Sequence, residues 1–188
     1  MHFKYKTMPY QHQKDALMHS FDKRNYAYFM EMGCGKSKVL LDNMAWLRLQ
    51  KKIDTAIIVA PKGVYRNWEL TEIPKHFLDE VEHEVFTWRA NPNKTQRDDL
   101  VRATKDRSKF RILLINVEGF ATPKVKKYTE AFIKDSNFLL AVDESTTIKN
   151  HQAKRTKALV NLGRQASYKR ILTGSPVTRS PMDLFSQC

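Results

Sequence analysis

Residues 26–37, Tyr-Ala-Tyr-Phe-Met-Glu-Met-Gly-Cys-Gly-Lys-Ser, join a strand-forming run to a glycine-rich turn and the start of a helix. Residues 26–30 have the aromatic composition of a β-strand. After Gly35 the apolar residues Leu40, Met44 and Leu47 recur at helical spacing, which predicts one apolar helix face. The stretch therefore predicts a strand that passes through a tight turn directly into a helix.

This turn has the chemistry of an anion-binding loop. Glycines let the backbone approach a ligand closely, and N–H groups at a helix N-terminus favour a negative charge. Lys36 can reach the outer phosphates of a nucleoside triphosphate, and Ser37 can ligate Mg²⁺. The general pattern G-x-x-x-x-G-K-[ST] is met except at its first position, which is Met30. A glycine turn before an ordinary helix remains the alternative.

Two adjacent acids follow a second informative run. Residues 138–142 are continuously apolar, as in a central strand buried on both faces, and Asp143 and Glu144 come next. Ligands of open α/β sheets lie at the carboxyl ends of the strands. There Asp143 would hold Mg²⁺, and Glu144 would orient and deprotonate an attacking water. A solvated turn is the alternative interpretation of the two acids.

Strands alternate with helices along the rest of the chain. This alternation predicts a three-layer α/β fold, with a mostly parallel central sheet and helices on both faces. The further predicted strands are 55–60, 84–88, 111–116, 138–142 and 167–173, and the further predicted helices are 64–77, 95–107, 125–134 and 153–162, with a last helix from Ser180.

The charge composition of the chain indicates an anionic binding partner. The 188 residues, 41% of them apolar, suffice for one domain, and 33 basic against 20 acidic residues give a net charge of +13. Residues 149–170 contain seven Lys or Arg and no acid. A nucleic-acid backbone is the expected counterpart, with salt-sensitive binding, although basic surfaces also occur on proteins that bind nothing anionic.

The sequence does not indicate a membrane-spanning, disulfide-stabilised or metal-binding protein. No apolar run is long enough to span a bilayer, Cys34 and Cys188 make no disulfide framework, and the six histidines show no metal-ligand spacing. We expect an intracellular, cytoplasmic protein from a bacterial or phage-like source, with a nuclear location left open.

Six ordered motifs resemble the first RecA-like lobe of superfamily-two helicase-like ATPases (the DEAD/DEAH-like helicase N-terminal domain), and within them the Swi/Snf-type translocases of double-stranded DNA. The resemblance covers nearly the whole chain and rests on short stretches in the family's order. These are Pro9-Tyr10-Gln11, residues 32–37, residues 57–61 with Asn67-Trp68, residues 113–118, Asp143-Glu144 with residues 148–150, and residues 172–177.

The resemblance implies roles for individual residues, ATP and Mg²⁺ as cofactors, and DNA as partner. Trp68 could stack on a base, but packing in the core is the favoured interpretation. The implied sites are nucleotide binding by Gln11, Met32, Gly33, Cys34, Gly35, Lys36 and Ser37; Mg²⁺ binding by Ser37 and Asp143; catalysis by Glu144, Lys36 and Asp143; nucleic-acid contact by Lys62, Arg66, Asn67, Asn116, Lys149 and Asn150; and coupling of the two sites by Thr173 and Ser175.

Two departures from the family pattern affect this expectation. Ser145-Thr146-Thr147 replaces the family's Ala-His-Arg after the acids, and the sequence stops at Cys188, before a second lobe. In this superfamily the second lobe supplies an arginine that completes the site, so residues 1–188 form a single lobe with little expected hydrolysis of its own. The sequence is then either a fragment or the partner of a second lobe on another chain.

Three interpretations stay open at this point. The first is the ATP-binding lobe of a DNA-dependent ATPase that moves along duplex DNA. The second is a non-hydrolysing module that binds nucleic acid or a partner helicase in a regulatory role. The third is an unrelated phosphate-loop enzyme such as a kinase, which the motifs after Asp143 argue against.

Overall fold

A six-stranded, wholly parallel sheet forms the centre of the protein. The computed structural model describes residues 3–144 and 154–174. In that part of the chain the strands are β1 (Asn25–Phe29), β2 (Thr55–Ala60), β3 (His83–Thr87), β4 (Phe110–Asn116), β5 (Phe138–Asp143) and β6 (Tyr168–Thr173). Their order across the sheet is β1-β6-β5-β2-β4-β3.

Helical segments connect these strands. They are α1 (Gln11–Ser20), α2 (Lys36–Leu49), α3 (Tyr65–Asn67), a π-helical turn (Trp68–Glu72), α4 (Ile73–His76), α5 (Lys94–Lys105), a 3-10 turn (Val117–Ala121), α6 (Pro123–Ile133) and α7 (Lys154–Gln165). No helix among the described residues has the length and apolarity that crossing a membrane requires.

The sheet separates two hydrophobic cores. Alternate residues of β2 serve both, since Ile58 packs with α2 and α4 while Ile57 and Val59 pack with α5, α6 and α7. All six residues of β2 are buried, which explains the apolar run without alternation. The predicted three-layer architecture is confirmed.

Helix α2 differs from its prediction of one apolar face. All residues from Lys38 to Leu47 are buried, because α1 and α4 cover the side that faces away from the sheet. The covered side includes an ion pair in which Lys38 Nζ lies 2.7 Å from Asp42 Oδ2. Burial raises the pKa of Asp42 to about 6, against the opposing effect of Lys38.

Two other elements differ from the sequence prediction. Helix α1 was not predicted, since Leu17 is its one buried apolar residue and its other buried positions are Gln13 and Ser20. The predicted helix 64–77 is three consecutive segments, with the π-helical turn in the middle. The helix predicted from Ser180 lies outside the described residues.

Candidate nucleotide-binding site

The glycine turn forms a loop around the Lys36 ammonium. Gly33 and Gly35 have φ angles of 81° and 78°, in the left-handed region that favours glycine, and α2 begins at the next residue. Lys36 Nζ donates to the carbonyls of Met30 at 2.8 Å and Glu31 at 3.0 Å. An ammonium has three donors, so the third is available to a phosphate oxygen.

Helix α1 supports this loop through Gln13, which sequence reasoning missed. Gln13 is buried, its Nε2 donates to the Cys34 carbonyl at 3.0 Å, and its Oε1 accepts from the Tyr10 amide at 3.0 Å. A Cβ at Gly35 would lie 2.2 Å from Gln13 Nε2. The N-cap of α1 is Tyr10 rather than Ser, Thr, Asp or Asn, so the sequence lacks the usual capping-box signature that could have revealed this helix.

The predicted adenine-binding glutamine lies on the exposed side of the same helix. Gln11 Nε2 donates to Asp15 Oδ1 at 2.8 Å, while the predicted loop residue Met32 is 82% exposed and Ser37 and Cys34 are half-buried. Gln13 rather than Gln11 therefore contacts the loop. The role of Gln11 toward adenine stays a prediction.

Asp143 is held by two hydrogen bonds at the carboxyl end of β5. Its Oδ2 accepts from Trp68 Nε1 at 2.9 Å, and its Oδ1 accepts from the Glu144 amide at 2.9 Å. Burial raises the pKa of Asp143, and these two bonds together with the charge of Lys36 oppose the shift. The carboxylate is thus fixed in orientation and lies within the electrostatic reach of Lys36.

Glu144 combines an unusual backbone with a contact to the neighbouring strand. Its φ of 49° lies in the left-handed region, which is uncommon outside glycine and often marks functional sites. Thr173 Oγ1, at the end of β6, donates to Glu144 Oε1 at 3.3 Å. The predicted coupling residue therefore contacts the predicted catalytic base.

Strand order brings the two halves of the site to one edge. Strand β6 lies between β1 and β5, and Thr173 is level with Phe29 while Leu172 is level with Asp143. A Cβ at Gly174 would lie 3.4 Å from the Met32 amide nitrogen and 3.5 Å from the Met30 carbonyl. The end of β6 therefore lies beside both the glycine loop and the acids.

These residues fit a Mg²⁺ ion that is shared with a nucleotide. Among residues 3–144 and 154–174, no three His, Cys, Asp or Glu side chains are grouped so that they could hold a metal ion by themselves. Mg²⁺ typically takes one or two protein carboxylates and completes its shell with phosphates and water. Asp143 and Ser37 could supply these few protein ligands, with the other positions filled by phosphate and water.

The predicted nucleic-acid residues fall into three groups. Lys62, Arg66 and Asn67 are exposed after β2, where Asn67 Nδ2 donates to Glu72 Oε1 at 3.1 Å. Asn116 is half-buried and its Oδ1 accepts from the Gly119 amide at 2.8 Å, so it caps the 3-10 turn. Lys149, Asn150, the Ser145–Thr147 departure and the coupling residue Ser175 lie outside the described residues.

Trp68 is 1% exposed, and its predicted packing in the core is confirmed. Its bond to Asp143 was not predicted. The two residues are 75 positions apart in sequence, and no local pattern connects them.

A parallel sheet with a glycine loop after β1 and an acidic pair after β5 defines a RecA-like, phosphate-loop nucleotide-binding domain. Residues 10–187 match the SNF2-related domain, and the chain belongs to that family. The family includes helicase-like ATPases, as the names of its relatives indicate.

Curated relatives are much longer proteins. Residues of this chain are 26% identical over 157 residues to the ATP-dependent helicase FUN30 of Saccharomyces cerevisiae, covering 83% of the chain and 13% of that protein. They are 30% identical over 159 residues to the probable ATP-dependent DNA helicase CHR23 of Arabidopsis thaliana, covering 83% and 14%.

Solved structures share the fold. The SWI2/SNF2 ATPase core of Sulfolobus solfataricus in complex with dsDNA superimposes with a TM-score of 0.74 at 19% identity, over 98% of this chain and 36% of that one. The UvsW helicase of bacteriophage T4 gives a TM-score of 0.64 at 13% identity, over 96% and 57%.

Proposed function

We propose that this chain is the ATP-binding lobe of a DNA-dependent ATPase that moves along double-stranded DNA. The observation that carries the proposal is the meeting of the Lys36 loop and the Asp143–Glu144 pair at one edge of the sheet, beside Thr173. One nucleotide could contact both halves there. Membership of the SNF2-related family and the ATP-dependent relatives support the same choice of nucleotide.

Different residues of the chain have different roles in the proposed hydrolysis. Amides of residues 33–37 and the Lys36 ammonium would bind phosphate oxygens, and Ser37 and Asp143 would hold Mg²⁺, which would neutralise charge on the phosphates. Glu144 orients a water molecule and accepts its proton. Thr173 positions the Glu144 carboxylate through the 3.3 Å hydrogen bond.

The surface after β2 would bind the DNA backbone. Lys62, Arg66 and Asn67 are exposed beyond the carboxyl end of β2, at the same edge of the sheet as the acids. The net charge of +13 favours a phosphate backbone without base reading. The dsDNA in the Sulfolobus complex supports the choice of duplex, and Lys149, Asn150 and Asn116 are proposed as further contacts of the backbone.

Turnover is proposed to need a second RecA-like lobe, in the same polypeptide or on another. An arginine supplied across a cleft raises hydrolysis by roughly 10³ to 10⁵ in related enzymes. A nucleic-acid-binding or helicase-binding module without hydrolysis is the second candidate function. It would be favoured if the longest natural polypeptide bound ATP and DNA but had no turnover.

The test measures binding on this chain and turnover on the longest natural polypeptide. Lys36→Ala should abolish ATP binding, because the loop then lacks its only ammonium, whereas Glu144→Gln should retain binding and stop hydrolysis. Lys105→Ala is the matched charge control, since it ends α5 before β4 and so lies at the opposite edge of the sheet.

Duplex DNA, single-stranded DNA and RNA are compared as activators. Duplex DNA should stimulate turnover most, and Lys62→Ala should reduce the salt dependence of duplex binding by about one unit of slope. Stimulation by RNA alone would overturn the proposed substrate. An active Glu144→Gln enzyme would overturn the assignment of the base.

A further inference from the structure

Trp68 connects the surface after β2 to the magnesium half of the site. Its side chain is 1% exposed, and its indole N–H donates to Asp143 Oδ2 at 2.9 Å. A buried indole N–H requires an acceptor, and a carboxylate is a strong one. The bond crosses from the segment that follows β2 to the end of its neighbour β5.

The backbone around Trp68 is also unusual. Trp68 is the first residue of a π-helical turn, a rare conformation that is found frequently at functional sites. Along the continuous helical segment from α3 to α4, Trp68 and Ile73 join the core, while Arg66, Asn67 and Leu70 are exposed. The exposed residues 66 and 67, proposed to contact DNA, are therefore followed directly by the residue that contacts Asp143.

Asp143 has little freedom of its own. Its second oxygen accepts from the Glu144 amide, so the two hydrogen bonds fix the plane of the carboxylate. One of these bonds comes from the acid's own strand end, and the other comes from the turn at Trp68. A displacement of that turn would move the indole and with it the orientation of the carboxylate.

We propose that Trp68 is a positioning residue that transmits DNA contact at residues 62–67 to the magnesium-binding carboxylate of Asp143. The inference rests on the proposed function, in which that surface binds DNA and Asp143 binds Mg²⁺. The coupling passes through one hydrogen bond, from the Trp68 indole N–H to Asp143 Oδ2. Trp68 itself contacts neither DNA nor nucleotide.

The decisive variant replaces Trp68 by benzothienylalanine, which keeps the shape of indole and substitutes sulfur for the N–H group. Trp68→Phe is the second variant, and it removes the same donor with a smaller ring. The same two replacements at Trp46 are the matched control, because Trp46 is a buried tryptophan of the same core, packed on Phe21 near the far end of α2.

Calorimetry on this chain then measures ATP affinity in Mg²⁺ and in EDTA, and duplex affinity with and without Mg²⁺–ATP. Loss of a group that orients a metal ligand typically weakens metal binding about 10- to 100-fold. The Trp68 variants should therefore bind ATP at least about tenfold more weakly in Mg²⁺, with unchanged affinity in EDTA. Any effect of Mg²⁺–ATP on duplex affinity should shrink toward none, since such coupling is reciprocal.

Two failures are distinguishable. A wild-type chain whose ATP affinity does not depend on Mg²⁺, or that does not bind duplex DNA, overturns the proposed function and this inference with it. A wild-type chain that shows both properties, but whose duplex affinity does not respond to Mg²⁺–ATP, overturns the inference alone. So does benzothienylalanine at position 68 that leaves unchanged the Mg²⁺ dependence of ATP affinity and the effect of Mg²⁺–ATP on duplex affinity. Equal losses at positions 46 and 68 would also overturn it, because they would indicate general packing.

Discussion

Replacing Gly35 by alanine should destabilise the chain considerably more than the same change at Gly33. The two glycines have nearly equal φ angles, 78° and 81°, so each substitution forces alanine into the left-handed region at a cost of about 1–2 kcal/mol. Their surroundings differ. A Cβ at Gly33 would have no atom within 4 Å, whereas one at Gly35 would lie 2.2 Å from Gln13 Nε2.

The additional cost at Gly35 can be worked from the hydrogen bonds of Gln13. To avoid the new methyl group the amide must swing away, which gives up the bonds to the Cys34 carbonyl and the Tyr10 amide. Each bond contributes about 1 kcal/mol net. Gly35→Ala should therefore lower the free energy of unfolding by about 3–4 kcal/mol, and Gly33→Ala by about 1–2 kcal/mol.

Urea unfolding without nucleotide measures both values, and a Gln13→Ala background tests the cause. With the amide already removed, Gly35→Ala should cost only the backbone term of about 1–2 kcal/mol. The double variant should then be about 2 kcal/mol more stable than the sum of the single changes indicates. Equal costs at the two glycines, or strict additivity with Gln13→Ala, would refute the reasoning.

The remaining predictions concern two buried charged groups. Burial raises the pKa of Asp42 to about 6, so the carboxyl of the folded chain keeps a proton that the unfolded chain releases at lower pH. The free energy of unfolding should therefore fall as pH rises from about 4 to about 6, by up to about 3 kcal/mol. Urea titrations should show no such difference in Asp42→Asn, and parallel pH profiles for the two proteins would contradict the assignment. Arg111 donates to the carbonyls of Ala103 and Phe132 and to the hydroxyls of Thr55 and Ser136. Arg111→Lys cannot reach all four and should cost about 2–4 kcal/mol in urea unfolding, while Arg102→Lys on the exposed surface should cost under about 1 kcal/mol; similar costs at both positions would count against the network.

Local pattern was sufficient for the strands. The predicted strand 55–60 has the observed bounds of β2, and the predicted strand 138–142 is one residue shorter than β5. Such strands are recognised because each is buried on both faces, which leaves a continuous apolar run in the sequence. The glycine turn and the acid pair were also recognised from local sequence. Glycines indicate the backbone conformation of the turn, and the acids directly follow an apolar strand.

Structural features that depend on contacts between distant residues could not be recognised from a local sequence pattern. Helix α1 is held to the loop by a buried glutamine, and a buried glutamine has no periodicity to distinguish it from an exposed one such as Gln11. The π-helical turn begins at Trp68, whose indole donates to Asp143, a residue far along the chain. Predictions from sequence therefore identified the chemical groups of the site but not the groups that orient them.

Strand order explains why the orienting groups converge. Because β6 lies between β1 and β5, its carboxyl end adjoins both the glycine loop and the acids. From that position Thr173 donates a hydrogen bond to Glu144. Gly174 lies beside the Met30 carbonyl and the Met32 amide, and a Cβ at this position would make only ordinary van der Waals contacts with them. A change in the loop around a nucleotide would then reach Glu144 through β6, and a change in the turn at Trp68 would reach Asp143 from the opposite side. The two carboxylates accept from different side chains, so under the proposed function substitutions at Thr173 and at Trp68 should disturb different steps, water activation and metal binding respectively.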